Sequence, residues 1–182
     1  MRNRETTGYV VLGVLKTGAM HGYEIRKFMA RHLDGIWNVG TSQLYALLHR
    51  LEAEEGLVKG RIWQMDNRLQ KRIFTLTPRG EARFEAWVHS PTRHVRDLRL
   101  EFLTKLFFLN YLDLPGGTRL IEAQRALLED LKHKVEQDHA RQTEAFGRVV
   151  RGFRRAQFEA CLNWLEDEAR PFVGDAPQGR RG

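Results

Sequence analysis

The chain has little of what secreted and membrane proteins depend on. Among its 182 residues there is a single cysteine, Cys161, which cannot form an internal disulfide. No stretch approaches the roughly 18 consecutive apolar residues that a membrane-spanning helix needs. The first residues, Met1 to Glu5, lead into no apolar signal segment. We therefore expect a cytoplasmic protein that has no membrane partner.

Patterns typical of catalytic and metal sites are missing as well. The seven histidines are scattered, and neither a His-Glu-x-x-His sequence nor a paired-cysteine spacing occurs. There is no Gly-x-Ser-x-Gly elbow and no glycine-rich loop that could hold phosphate. We therefore expect no enzyme, with no catalytic residues, no metal and no cofactor.

Positive charge exceeds negative charge, and the excess lies mainly in the first half. The chain has 30 Lys and Arg against 23 Asp and Glu, a formal net charge of +7. The part up to Ser90 holds 14 of these basic and 9 of these acidic residues, or +5. This distribution favours a polyanionic partner for the N-terminal half, although basic proteins without such a partner are common.

The segment from Thr41 to Leu51 is predicted to form a short amphipathic helix. Thr41 and Ser42 follow Gly40 and can cap the first turn, which leaves amide donors where a phosphate could bind. One face has the spacing of a buried stripe: Leu44, Leu47, Leu48 and Leu51. The other is rich in hydrogen-bond donors: Thr41, Ser42, Gln43, Tyr45, Ala46, His49 and Arg50. That face suits insertion into a groove, and an ordinary surface helix is the alternative.

Two further helices are predicted before this one. The segment from Thr6 to Lys16 is apolar enough to be a buried helix. A second helix begins at His21 and places Tyr23 or Ile25 toward the core; we favour a core position for Tyr23. Only a few residues separate the second helix from the third, which is the helix-turn-helix arrangement.

The period of the sequence changes after Gly56. Leu57 to Gln64 alternates between apolar and polar residues, and Lys71 to Leu76 gives a second strand. The turn between them, Met65 to Arg68, has Asn67 at a position that can take a positive φ. A helix-turn-helix followed at once by a two-stranded hairpin is a winged helix. The hairpin is basic through Arg68, Lys71 and Arg72.

The second half is predicted to be helical. A helix capped by Thr77 runs to Val88, and the domain boundary falls in Ser90 to Arg96. Further helices are expected over Asp97 to Leu112, Thr118 to Val150 and Phe153 to Ala169. The fold class is thus mainly α, with a winged-helix domain over 1–90, a helical domain over 91–172 and a flexible tail over 173–182.

The helices of the second half carry more apolar surface than three antiparallel helices can bury alone. We therefore expect a two-fold homodimer. The interface residues predicted from the apolar stripes are Phe102, Leu106, Leu120, Leu127, Leu131, Phe158, Leu162 and Leu165. All four tryptophans, Trp37, Trp63, Trp87 and Trp164, are assigned to the core or an interface. Weak candidates for lining an effector pocket are Trp87, Phe107 and Trp164.

Several motifs together resemble those of PadR-type transcriptional regulators. They are Leu12-Gly13, Met20 to Ile25 (Met-His-Gly-Tyr-Glu-Ile), Ser42 to Leu47, Arg50-Leu51-Glu52, Gly56-Leu57-Val58 and Leu76 to Gly80. The segment Arg99 to Phe108 is similar to the start of the longer C-terminal dimerisation domain of one branch of that family. The resemblance implies a dimeric winged-helix regulator that binds double-stranded DNA, usually a repressor, and is often released by a small-molecule effector.

The sequence departs from the family pattern at three places. Ala46 stands where the family usually has proline, which should make that helix more regular. The segment Glu52 to Gly56 is one residue longer than the common form. At the hairpin tip Leu69 replaces a rigidifying proline. Each departure weakens any transfer of an operator sequence from the family to this chain.

With the winged helix in place, the polar residues can be assigned to parts of a DNA duplex. Base edges are expected to meet Ser42, Gln43, Tyr45 and His49. Phosphates are expected to meet Thr41, Arg50, Arg68, Lys71 and Arg72, and His21 faces the backbone. The alternative is a winged-helix module that docks other proteins without specific DNA binding.

Overall fold

The computed structural model describes residues 2–64, 70–137 and 144–174. It divides the chain into two compact units, Met1–Val88 and His89–Gly182. The division lies just before the stretch from Ser90 to Arg96 in which we expected the boundary.

The first unit is a winged helix-turn-helix. Its elements are α1 (Arg2–Lys16), β1 (Met20–His21), α2 (Gly22–His32), α3 (Thr41–Ala53), β2 (Val58–Gln64), β3 (Gln70–Leu76) and α4 (Pro78–Val88). The three predicted helices and the hairpin are confirmed. The strand β1 was not predicted, because its two residues are too few to show an alternating pattern. This strand pairs antiparallel with β3, so the sheet has three strands in the order β1-β3-β2.

The core of the first unit forms where α1 meets the other helices. Val10, Val11 and Val14 of α1 are fully buried, which agrees with the predicted buried helix. In α2 the inward position belongs to Ile25, which is also fully buried. The core position favoured for Tyr23 is wrong, because this side chain is 58% exposed. Ile25 and Tyr23 are two positions apart and cannot share one face of a helix.

The start of α4 is fixed against the loop before β2. Thr77 is its N-cap, as predicted: its hydroxyl accepts from Gly80 N at 3.1 Å and donates to Gly56 O at 2.8 Å. Gly80 lies so close to Leu57 that an added Cβ would stand 2.0 Å from the carbonyl oxygen of Leu57. Only glycine allows α4 to pack this closely on the chain.

All the regular secondary structure of the second unit's described residues is helical. A continuous helical stretch consists of α5 (Val95–Asp97), a π-helical segment (Leu98–Phe102) and α6 (Leu103–Tyr111). Then follow α7 (Gly117–Gln137), α8 (Ala145–Trp164), a second π-helical segment (Leu165–Ala169) and α9 (Arg170–Gly174). The helix predicted over Asp97 to Leu112 is confirmed.

The break predicted between Val150 and Phe153, where Gly152 lies, is wrong. The helix α8 begins at Ala145 and runs through Gly152, and the preceding helix ends at Gln137. The predicted helix from Thr118 to Val150 therefore covers α7 and the first residues of α8. Residues 138–143, between these two helices, lie outside the described residues. One glycine inside a helix costs only about 1 kcal/mol relative to alanine, so Gly152 alone could not mark an end.

A buried polar network ties the beginning of the second unit to its helices. Gln124 of α7 accepts from Thr92 N at 2.6 Å and donates to Thr92 O at 3.0 Å. The fully buried Lys105 donates to Ser90 O at 2.8 Å and to Glu101 at 2.6 Å. Burial lowers the pKa of the Lys105 amine, although the bond to Glu101 opposes this shift. Because each buried group has a partner, the network holds residues 90–92 in one position.

The close approach at Gly80 gives a test of the fold. Changing Gly80 to alanine should lower the free energy of unfolding by roughly 3 kcal/mol, because the methyl group would collide with backbone that cannot move aside. Gly8 is the matched control within α1 of the same unit. Its added Cβ would meet side chains at 3.7 Å or more, so Gly8→Ala should stabilise the protein by about 0.5–1 kcal/mol. Chemical denaturation of both variants measures the difference, and equal effects would contradict this packing.

Candidate nucleic-acid interface

The helix α3 presents two different faces. Leu44, Leu47, Leu48 and Leu51 are buried, at 1, 8, 0 and 2% exposure. Exposed on the other side are Thr41, Ser42, Gln43, Tyr45, Ala46 and His49. The buried stripe was predicted and is confirmed.

The predicted cap of α3 is wrong. Gly40 is the N-cap residue, and no side chain makes a capping hydrogen bond there. Thr41 and Ser42 are instead the first residues of the helix, and both are exposed. The first turn of α3 therefore presents two hydroxyl groups and its amide donors on the same surface.

His21 has a role within the fold. It is the N-cap of α2, where its Nδ1 accepts from Tyr23 N at 3.2 Å. Its own backbone N–H donates to Glu24 Oε2 at 2.7 Å, which completes a capping box. His21 was expected at a helix start that faces the DNA backbone. Its side chain uses only Nδ1 in the capping hydrogen bond.

Tyr45 lies between α3 and the beginning of α2. Its ring covers Gly22 so closely that an added Cβ at Gly22 would stand 2.8 Å from Tyr45 Cζ. The His21 ring approaches it edge-on, with the two centroids 6.4 Å apart. Gly22 therefore makes room for Tyr45, which keeps 39% of its surface exposed. Because Gly22 has no Cβ, the phenol group of Tyr45 can take this position on the surface of α3.

The base of the hairpin is fastened to the end of α3 through Glu52. One carboxylate oxygen of Glu52 accepts from Gly60 N of β2 at 2.8 Å. The other accepts from Arg72 Nη2 of β3 at 2.6 Å. The Arg72 guanidinium also lies over the Phe74 ring, 5.5 Å from its centroid. Arg72, predicted as a phosphate contact, thus helps to position the hairpin while its side chain stays 51% exposed.

The Arg50 side chain of α3 is held by an ion pair with Glu55. Its Nε donates to Glu55 Oε1 at 3.0 Å, and its side chain is 31% exposed. It lines a cleft of about 370 Å³ that also includes Tyr9 and Arg83. The predicted phosphate contact of Arg50 would therefore need the guanidinium N–H groups that do not bond to Glu55.

Beyond the residues that Glu52 bonds, the hairpin is exposed on both faces. Lys71, predicted as a phosphate contact, is exposed, whereas Arg68 lies outside the described residues. The core position considered for Trp63 is wrong, since this side chain is 65% exposed. Two basic residues of β2 that we did not assign, Lys59 and Arg61, are exposed as well. The alternation in β2 already separated them from the buried Val58, so the signal was present in the sequence.

The candidate effector residues are divided between the two units. Trp87 is buried in the first unit, where its ring stacks on Tyr9 with centroids 4.9 Å apart. Phe107 and Trp164 belong to the second unit. Phe107 stacks on Tyr111 at 5.1 Å, and Trp164 meets Phe102 edge-on at 6.2 Å.

Within residues 2–64, 70–137 and 144–174, no helix is long and apolar enough to cross a membrane. In the same ranges no group of three or more His, Cys, Asp or Glu side chains is arranged to hold a metal ion.

These features define the class of the first unit. A buried leucine stripe orients α3, Tyr45 of that helix lies on Gly22 of α2, and a basic hairpin is clamped to its end. This is a winged helix-turn-helix domain in which α3, the second helix of the motif, has one exposed polar face.

Comparison with known proteins gives the family. Residues 11–86 match the transcriptional regulator PadR-like family. The negative transcriptional regulator PadR of Bacillus subtilis is 30% identical over 135 residues, which cover 70% of this chain and 72% of that protein. The chain therefore belongs to the PadR family of transcriptional regulators.

Solved structures of family members are similar to this chain along most of its length. One is Bacillus subtilis PadR in complex with operator DNA, with 22% identity and a TM-score of 0.47 over 91% of this chain and 98% of that chain. Another is the same protein in complex with p-coumaric acid, with 21% identity and a TM-score of 0.41 over 94% of this chain and 98% of that chain.

The Glu52 clamp can be tested directly. Glu52→Ala should remove the hydrogen-bond acceptor of the Gly60 amide and speed the hydrogen exchange of that amide about tenfold. A tenfold change corresponds to roughly 1.4 kcal/mol, a reasonable free energy for a partly exposed hydrogen bond to a charged group. Glu52→Gln keeps an acceptor and should change this exchange much less. The exposed neighbour Glu54 is the control, and Glu54→Ala should leave the Gly60 amide unchanged. Hydrogen exchange followed by NMR measures all three, and an unchanged Gly60 amide in Glu52→Ala would exclude the clamp.

Proposed function

We propose that this regulator is a repressor that binds a pseudo-palindromic DNA operator as a homodimer. Each copy places α3 in a major groove, and the two grooves are roughly 34 Å apart. The observation that carries the proposal is the exposed polar face of α3 above its buried leucines. The name of the Bacillus subtilis relative, a negative regulator, supports repression rather than activation.

The proposed base contacts come from exposed side chains along α3: Ser42, Gln43, Tyr45 and His49. Gln43 is exposed and can bond an adenine edge through both atoms of its amide. Ser42 and His49 can donate hydrogen bonds to other base edges. Tyr45 lies against Gly22, which positions its phenol group on the same exposed surface of α3. Tyr23 is a further candidate, because it is exposed next to His21 and has the Arg26 guanidinium 5.6 Å from its ring centroid.

The proposed phosphate contacts surround these residues. Thr41 and Lys71 are exposed, and Arg68 is assigned from the sequence alone. Arg72 and Arg50 each donate one hydrogen bond from the guanidinium to a glutamate carboxylate. A guanidinium has five N–H donors, so others are left for a phosphate. Both can therefore bond a phosphate while they keep their intramolecular partner.

Only part of the residue set expected at the dimer contact has surface left over in a single copy. Phe102, Leu106, Leu120, Phe158 and Leu165 are buried within a single copy, at 0 to 7% exposure. They belong to the protomer core and have no free surface for a partner. Leu127, Leu131 and Leu162 are half-buried and remain candidates. Sequence periodicity identified the apolar stripes but could not show which of them a single copy already covers.

The early part of α8 supplies the missing apolar surface. Phe146, Val149 and Phe153 are 78, 67 and 63% exposed. Their spacing of three and four residues places them on one face of the helix. Such a stripe on a soluble helix is typical of a protein interface. We therefore assign the contact between two copies to this face of α8.

Release by a small molecule is the remaining part of the proposal. The half-buried rings of Phe107 and Trp164 lie among other aromatic side chains of the second unit. Rings of this kind can line a site for an apolar effector. An effector that binds better to the form with lower DNA affinity would shift the protein toward that form.

A module that only docks proteins is the second candidate. The exposed Tyr23 and Trp63 favour it, because aromatic side chains are enriched in protein interfaces. Selection of bound DNA from a random pool separates the two functions. A DNA-binding regulator enriches a defined sequence, and a docking module enriches none.

Two variants should separate base reading from phosphate binding. Gln43→Ala should change which sequence is preferred, because a bidentate base contact accounts for about 1–3 kcal/mol of discrimination. Lys71→Ala should weaken binding to all sequences and reduce the slope of log affinity against log salt by roughly 0.9 for each phosphate that the protein no longer neutralises. Titrations of both variants at several salt concentrations test this, and uniform weakening by Gln43→Ala would contradict its assignment.

The dimer contact is tested by sizing. Changing Phe146 and Phe153 together to serine should give a monomer in sedimentation, since it removes two exposed rings without opening the protomer core. Phe172 of α9 is the matched control because it is also exposed, at 46%, but lies on another helix. Phe172→Ser should stay a dimer. A double variant that sediments as a dimer would show that the contact lies elsewhere.

A further inference from the structure

The first half of α8 concentrates positive charge. The stretch from Ala145 to Phe158 contains four arginines and no acidic residue. Arg148, Arg151 and Arg155 follow one another at spacings of three and four residues, so they lie on one face of the helix. Like charges at these spacings destabilise a helix. An anion bound among the three guanidinium groups would remove this repulsion.

These three arginines line a cleft between α8 and the last turn of α7. The cleft has a volume of about 320 Å³, and its lining among the described residues consists of Val135, Glu136, Arg148, Arg151, Gly152 and Arg155. Three of these side chains are cationic and one is anionic, which gives the lining a net charge of +2. The volume lies at the lower end of the range for small-molecule sites. The cleft therefore matches a compact dianion.

Gly152 keeps part of this cleft open. A Cβ added at Gly152 would have no atom within 4 Å, apart from its chain neighbours and the backbone of α8. Packing therefore does not require glycine at this position, and glycine inside a helix is less favourable than alanine. Residues that contradict the local preference of an element often belong to functional sites. The absent side chain leaves space for a ligand beside Arg151.

An ion pair between the two helices lies next to the cleft. Glu159 of α8 has its Oε1 atom 3.2 Å from Lys132 Nζ of α7 and 3.9 Å from Arg155 Nε. This carboxylate links the helices and holds the Arg155 side chain near the cleft. Arg148 and Arg151 also have interactions within the chain. Since a guanidinium has five N–H donors, each can bind an anion beside those interactions.

We propose that the cleft between α7 and α8 binds a small molecule through a phosphate group. Guanidinium groups pair with phosphate oxygens through parallel N–H···O bonds, and a phosphate monoester carries a charge of about −1.5 to −2 at neutral pH. Val135 supplies the apolar part of the lining, which favours a compact polar ligand over an aromatic one. The ligand joins α7 to α8 and stabilises the second unit by mass action.

This site is independent of the proposed function. It belongs to the second unit, and its arginines lie on a different face of α8 from the stripe of Phe146, Val149 and Phe153. Phosphate binding can therefore be measured on the full chain without DNA. Failure of the site would leave the proposed DNA binding unaffected, and the reverse holds as well.

Calorimetric titration at constant ionic strength tests the site, with inorganic phosphate and glycerol phosphate as the probes. The unchanged protein should bind at least one of them, and tighter binding of glycerol phosphate would identify phosphate esters as the ligand class. Arg151→Gln should weaken binding about tenfold, as expected for one lost hydrogen bond to a charged group. Arg154→Gln is the matched control, because it removes the same charge from an exposed residue of α8 outside the cleft and should leave the affinity unchanged.

A second variant tests the open space. Gly152→Leu places a side chain in the cleft without a change of charge and should abolish binding. It should still fold, which circular dichroism checks, because the open space accommodates the new Cβ. In the unchanged protein the NMR signal of the Gly152 amide should shift when phosphate is added.

Three outcomes would overturn the proposal. Equal weakening by Arg151→Gln and Arg154→Gln would show attraction to diffuse charge. Undiminished binding in folded Gly152→Leu would place the anion elsewhere. The third is an unchanged protein that binds neither probe.

Discussion

The burial of one leucine stripe decides how the whole DNA-binding unit faces its partner. Leu44, Leu47, Leu48 and Leu51 bring α3 into the core, and burying four such side chains contributes on the order of 6–10 kcal/mol before the entropy of ordering the chain is subtracted. A rotation of the helix would return leucines to water. The polar residues on the opposite side are therefore directed outward by a hydrophobic constraint.

Contacts at both ends of α3 then complete the surface. At the beginning, Tyr45 lies on Gly22 of the preceding helix; near the end, the Glu52 carboxylate bonds to both strands of the hairpin. The distance between the recognition helix and the wing is thus set by short polar bonds rather than by the loop alone.

Much of the fold could be predicted from the sequence because its periods are strong. The stripe of α3, the alternation of β2 and the Thr77 cap depend on neighbours within a few residues of one another. The errors have a common cause in contacts between distant segments. Tyr23 was placed inward, although only the packing of α2 shows that Ile25 occupies that side. The same limit applies to Glu52, whose partners lie on two strands, and to the apolar residues assigned to the dimer that are buried within one copy.

The exposed stripe of α8 also bears on how such a regulator responds to its own abundance. If a second copy covers Phe146, Val149 and Phe153, as proposed above, the contact stabilises the chain and assembly follows mass action. If only the pair holds both recognition helices on one duplex, operator occupancy at low expression rises with the square of the protein concentration. The gene under its control would then be released sharply, over a narrow range, as the protein is diluted by cell growth.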